Sequence, residues 1–203
     1  MESDKKWLDQ IDKEIKSNVS SIADEEKQWK KHSIYKVPSQ VTELNLKAYK
    51  PQTISFGPYH HANGDLEPME EHKHRALLHF LKRCGKPIKL LSEQLYEVAQ
   101  ELKDSYKSLD SKWRNYPEKF IKMMILDGCF IFEFLRVNVD SNTSTHYDKN
   151  DPVFGENGKF YLESYIKRDM LMLENQIPMT VLRELIQFQI GGDDKVILMA
   201  TFS

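Results

Sequence analysis

Cysteine is scarce in this sequence. Cys84 and Cys129 are the only two in 203 residues, and both fall inside helical apolar patterns. Thiols so placed are expected to be reduced and buried, which fits a cytosolic interior better than a secreted, disulfide-built scaffold. An excess of charge of one sign is also lacking. Lys and Arg total 29 against 31 Asp and Glu, for a formal net charge of −2. That balance argues against a dedicated nucleic-acid binder, which usually shows a basic face, and gives no obvious pull towards an anionic membrane.

Long hydrophobic runs are missing as well. A span needs an apolar stretch of ~18 to 20 residues. The greasiest window, Phe120 to Val137, is interrupted by Lys122, Asp127, Glu133 and Arg136. It reads as the buried helix of a globular domain. The opening residues, MESDKKWLDQ, are charged and carry no apolar signal core. Internal repeats, a nucleophile motif, a phosphate loop and a cysteine–histidine metal signature are all absent, so no cofactor is expected.

What is present is helical periodicity. Residues 1–32 read as an N-terminal arm with Trp7, Leu8, Ile11, Ile15, Val19 and Ile22 at helical spacing, restarting through a capping box at Ser21 and Asp24. Residues 33–190 read as the main domain. Ile34 to Val37, held extended by Pro38, and Thr53 to Phe56 are its two strand candidates. Pro68 opens a helix that Gly85 and Pro87 close. Leu91, Leu95, Val98, Ala99, Leu102 and Tyr106 line a second, and Pro117 opens the central one. Residues 138–158 turn to Asn, Asp, Ser, Thr and Gly, the composition of an exposed loop. Helices from Phe160 to about Leu173 and from Pro178 to Gln189 follow, and residues 191–203 form a short tail. The fold class expected is mainly α: a multi-helix globular domain with at most short extended or strand segments.

The stretch MEEHKHRALLHF, Met69 to Phe80, raises the question of a metal site. At 1.5 Å rise per residue, His72 and His79 stand roughly 10 Å apart, too far for one ion. Glu70 and His74 would supply two ligands where zinc wants three or four. His60 and His61 complete a set only if the preceding loop folds back. Solvated or capping histidines are the plainer reading, and no metal is expected.

Charges on apolar stripes are less ordinary. Lys73 sits among Met69, Ala76, Leu77, Phe80 and Cys84. Asp127 lies on the face of Phe120, Met123, Met124, Ile131 and Phe134, while Glu133 and Arg136 fall on the polar side with Lys122. Asp169 lies among Leu162, Tyr165, Ile166 and Leu173. A buried charge must pair or accept backbone donors. Lys73, Asp127 and Asp169 are therefore candidates for a structural polar network with Lys73 beside at least one aspartate. The alternative is a small acid–base or divalent-ion site.

Five stretches carry a resemblance: IYKVP from Ile34, AYKPQTISFGPYHH from Ala48, LEPMEEHKHRALLHFL from Leu66, MMILDGCFIFEFL from Met123 and RDMLMLENQIP from Arg168. In this order they resemble the plant family known as domain of unknown function 247, over about Ser33 to Gln189. The resemblance implies a plant protein without established enzyme activity. Some members are associated with self-incompatibility in grasses, others with sex determination or defence. Full-length members are usually longer and end in a hydrophobic anchor, so the resemblance implies that the chain looks like the N-terminal half of a larger helical domain. The expected protein is a non-enzymatic recognition or regulatory factor with a protein partner, cytoplasmic or peripheral to the plasma membrane. The alternative is an unrecognised hydrolase or metal-dependent enzyme using Lys73, Asp127 and Asp169. A domain so shortened should expose apolar surface, including parts of Val181, Leu182, Leu185 and Ile186, and self-associate.

Overall fold

The computed structural model describes residues 6–15, 31–61, 64–139 and 147–190. The Ser21 restart and the tail from Gly191 lie outside the described residues. Helix α1 covers residues 6–15 and leaves Trp7, Leu8 and Ile15 exposed. Two single-turn helices follow, α2 (Ser39–Thr42) and α3 (Leu46–Tyr49). The main body is built from α4 (Pro68–Cys84), α5 (Ile88–Glu97), α6 (Ala99–Asp104), α7 (Ser111–Asn115), α8 (Pro117–Val139), α9 (Glu156–Met170) and α10 (Met179–Ile190). The protein is mainly helical, and the described residues form no sheet. Their β-type pairing is one isolated parallel bridge between Ile34 and Tyr106.

Local chemistry sets the ends of these helices. Pro68 occupies the first turn of α4, Glu70 and Glu71 face its positive end, and Gly85 ends it in the left-handed region at φ +64°. Asp110 caps α7 by accepting the Lys112 N–H at 2.8 Å. The apolar stripe from Leu91 to Tyr106 is buried as its spacing predicts. Its helix nevertheless breaks at Val98, where φ −101° and ψ 7° separate α5 from α6.

Helix α8 is the axis of the fold, and α4, α5, α7 and α10 all pack on it. Lys73 meets Asp127, Phe80 meets Phe132 and Arg83 meets Glu133, so α4 and α8 run in the same direction. On another face, Gly128 admits α10. A Cβ there would stand 2.7 Å from Val181 Cγ1 and 2.9 Å from Leu185 Cδ1.

Three expectations are corrected. Glu133 is not on a polar side: it is fully buried, because α8 is apolar around nearly its whole circumference and has no broad solvent face. Residues 147–155 are only partly an exposed loop: 148–150 and Pro152 are exposed, but Tyr147, Asp151, Val153 and Phe154 are buried. Tyr147 stacks between His79 and Phe154, and Asp151 accepts the Val153 and Phe154 N–H groups at 2.9 Å each while pairing with Arg75. Residues 140–146 lie outside the described residues. Finally, Val181, Leu182 and Leu185 are buried, Val181 and Leu185 directly against Gly128 of α8, while Ile186 is half-buried. Exposed apolar residues occur instead at many places, among them Leu44, Met179 and, on α9 and just after it, Phe160, Tyr161, Tyr165, Leu171 and Leu173.

Candidate functional site

Lys73 of α4 points into the interior and is 0% exposed. Its ammonium lies 2.7 Å from Asp127 Oδ1 on α8 and 2.5 Å from Glu70 Oε1 one turn earlier on its own helix. Burial by itself would lower the lysine pKa; the two carboxylates outweigh it and hold the ammonium above its ordinary value. Burial pushes the Asp127 carboxyl up, and Lys73 together with the Gly57 N–H pulls it back. Two carboxylates thus share one cation, and Glu70 carries the cluster from the core towards solvent.

Asp169 does not join them. Its Oδ2 accepts three successive backbone N–H groups, from Gln52 at 3.0 Å, Thr53 at 2.7 Å and Ile54 at 3.0 Å. Arg168 neutralises its other oxygen at 2.6 Å. Asn175 continues the pattern: Oδ1 accepts the Phe56 N–H at 2.6 Å, and Nδ2 donates to the Ile54 carbonyl at 3.0 Å. Asp127 Oδ2 then accepts the Gly57 N–H at 2.8 Å. The chain therefore enters the core from the exposed Gln52, and helix and turn side chains supply backbone partners from Gln52 to Gly57. Buried backbone donors demand partners, and these side chains supply them. Thr53 to Phe56 thus belongs to no sheet: the chain bends at Gln52 and Thr53, where three successive N–H groups turn onto one carboxylate oxygen, whereas a strand would point them alternately to opposite sides.

Gly57 closes this segment. Its φ is +69°, and a Cβ would lie 2.4 Å from the Gln176 carbonyl oxygen and 2.9 Å from the Tyr106 hydroxyl. Tyr106 donates to that same carbonyl at 2.9 Å. A second charged cluster sits further along α8, where Glu133 pairs with Arg83 and Arg136 and accepts from the Tyr147 hydroxyl at 3.1 Å. Burial alone would raise the Glu133 pKa, but the two guanidinium groups bring it below its ordinary value.

Beside the Lys73 cluster a cleft of about 600 Å³ opens between α4 and α8. Helical spacing builds both walls. Glu67, Glu70 and His74 line one side at i, i+3 and i+7; Lys119, Lys122, Met123 and Leu126 line the other at i, i+3, i+4 and i+7. Trp113, Leu66, His61 and Ser55 also line the cleft. His61 meets the Trp113 ring edge-on at 5.1 Å. Its pKa is lowered by burial above all, against the pull of Asp127 and Glu70.

The loop thus does fold back, bringing His61 to the cleft that Glu70 and His74 line. Among the described residues, however, no group of three His, Cys, Asp or Glu is gathered closely enough to hold a metal ion. His72 Nδ1 stands 2.7 Å from Arg75, and His79 stacks on Tyr147. Sequence reasoning missed Asn175, Glu133, Asp151 and Trp113. Glu133 was visible as a residue flanked at i±4 by Cys129 and Val137; the others have no periodic signal.

No helix among the described residues is long and apolar enough to cross a membrane. A family model described as "Plant protein of unknown function", DUF247, matches residues 34–202. The UPF0481 protein At3g47200 of Arabidopsis thaliana is 35% identical over 156 residues, which are 75% of this chain and 30% of that protein. The putative UPF0481 protein At3g02645 of the same plant is 28% identical over 174 residues, 83% of this chain and 30% of its own length. The chain therefore spans under a third of the curated relatives it matches. No solved structure matches it significantly. With the family model covering residues 34–202, the chain belongs to the plant DUF247 family.

Proposed function

We propose that this chain is a non-enzymatic recognition or regulatory module of a plant cell, acting through a protein partner. The supporting observation is that the three candidate charges are committed to structure. Lys73 is closed off from solvent, Asp127 is shared between it and Gly57, and Asp169 holds three backbone donors. A catalytic group must reach a substrate, and these do not. The family resemblance points the process towards reproductive development, as self-incompatibility or sex determination, or towards defence. The place of action in this reading is the cytoplasm or the cytoplasmic face of the plasma membrane.

Affinity capture of the tagged chain from floral tissue, with bound proteins identified by mass spectrometry, tests the reading. A reproducible partner that is retained by Lys73→Met, wherever that variant stays folded, supports it. Turnover of an ester, peptide or phosphate substrate that Lys73→Met abolishes without loss of helical signal would overturn it in favour of a hydrolase.

A further inference from the structure

The cleft between α4 and α8 has a chemistry that the buried clusters do not explain. Its α4 wall is acidic: Glu67 is exposed, and Glu70 shares the single Lys73 ammonium with Asp127, so that wall keeps a net negative charge. Its α8 wall is basic, with Lys119 and Lys122 exposed one turn apart and without an ion-pair partner among the described residues. Between them lie Met123 and Trp113, 2% and 5% exposed. The Trp113 Nε1–H is buried and has no hydrogen-bond partner among the described residues. A buried indole donor is usually partnered, and this one belongs to a ring that lines the cleft.

We infer that the cleft binds a small zwitterion of about dipeptide size. Its ammonium group meets Glu67 and Glu70, its carboxylate meets Lys119 and Lys122, and its apolar middle lies against Trp113 and Met123. Three features select that class over a simple anion or cation. The two walls carry opposite charge, so a ligand with one charged end leaves the other wall uncompensated. The volume falls within the range of small-molecule sites, about 300 to 1,000 Å³. Apolar side chains with a few polar groups, Ser55, His61 and the unpartnered Trp113 indole among them, line the cleft as they do in such sites. The assignment requires no protein partner and stands or falls separately from the recognition reading.

Titration of the full chain with the dipeptide phenylalanyl-phenylalanine tests it. The readout is the indole ¹H–¹⁵N signal of Trp113, identified by its loss in Trp113→Phe. The free dipeptide should shift that signal saturably. Its N-acetyl form, which lacks the ammonium, and its C-terminal amide, which lacks the carboxylate, should each bind about five-fold more weakly or worse, as expected for losing partly exposed charge contacts. Glu67→Gln should shrink the difference between the free and N-acetyl forms, and Lys122→Gln that between the free and amide forms. Both side chains are exposed, so an unchanged helical signal verifies that each variant folds. No saturable shift of Trp113 overturns the assignment. So does either capped form binding as tightly as the free dipeptide.

Discussion

At the scale of single residues, the energetics turn on charges that cannot be stranded. Removing Lys73 leaves Asp127 buried without its cation, so Lys73→Met should destabilise the fold by about 3 to 5 kcal/mol in chemical denaturation. Adding Asp127→Leu removes the stranded charge, but it also leaves the Gly57 N–H without its acceptor. Recovery should therefore be partial, with a clear coupling energy in the double-mutant cycle. Additive losses would mean that the pair does not interact. Glu133 makes a pH prediction. Its pKa is lowered in the fold from the ordinary value of 4.5, so the group is more readily ionised folded than unfolded. Its contribution is present above that ordinary value and is lost as pH falls through the folded one. Unfolding free energy should thus decline on acidification below about pH 4.5, and Glu133→Gln, less stable at neutral pH, should show a shallower decline.

At the scale of elements, the segment from Gln52 to Gly57 depends on side chains that are remote in sequence. Asp169→Ala would leave three N–H groups without their acceptor, each worth about 1 to 3 kcal/mol where water cannot replace it. In hydrogen exchange, the Thr53 and Ile54 amides should lose protection first, while the amides of α8 retain theirs. Equal loss throughout the molecule would show that Asp169 supports the whole fold instead of this segment. The sequence marked Asp169 as a charge that must meet a partner. It did not identify the partners, because backbone N–H groups belong to every residue type and leave no pattern to read.

At the scale of the whole molecule, Phe160, Tyr161, Leu171 and Leu173 are among the most exposed apolar residues and lie on or just after α9. Exposed apolar surface favours association where it is contiguous. The chain should bind a hydrophobic dye and elute with a concentration-dependent size, and Phe160→Ser with Leu171→Ser should reduce both effects. Concentration-independent monomers without dye binding would show that this surface is tolerated in water. The site expected for such surface, on α10, was wrong because the α8 glycine at position 128 allows α10 to approach closely and bury its stripe.

The sequence by itself determined the helical class, the start of α4 and α8 at their prolines, the left-handed stop at Gly85, and which charges stood on apolar stripes. Those features follow from local backbone chemistry and from a period of 3.6 residues, both of which are written along the chain. Only the tertiary structure decided that Asp127 pairs with Lys73 while Asp169 and Asn175 hold the segment from Gln52 to Phe56, that Glu133 is enclosed, and that Tyr147, Val153 and Phe154 pack inward. Each of these depends on which faces of different helices meet. A helix apolar on nearly every side, such as α8, carries no periodic mark of which neighbour lies against which face.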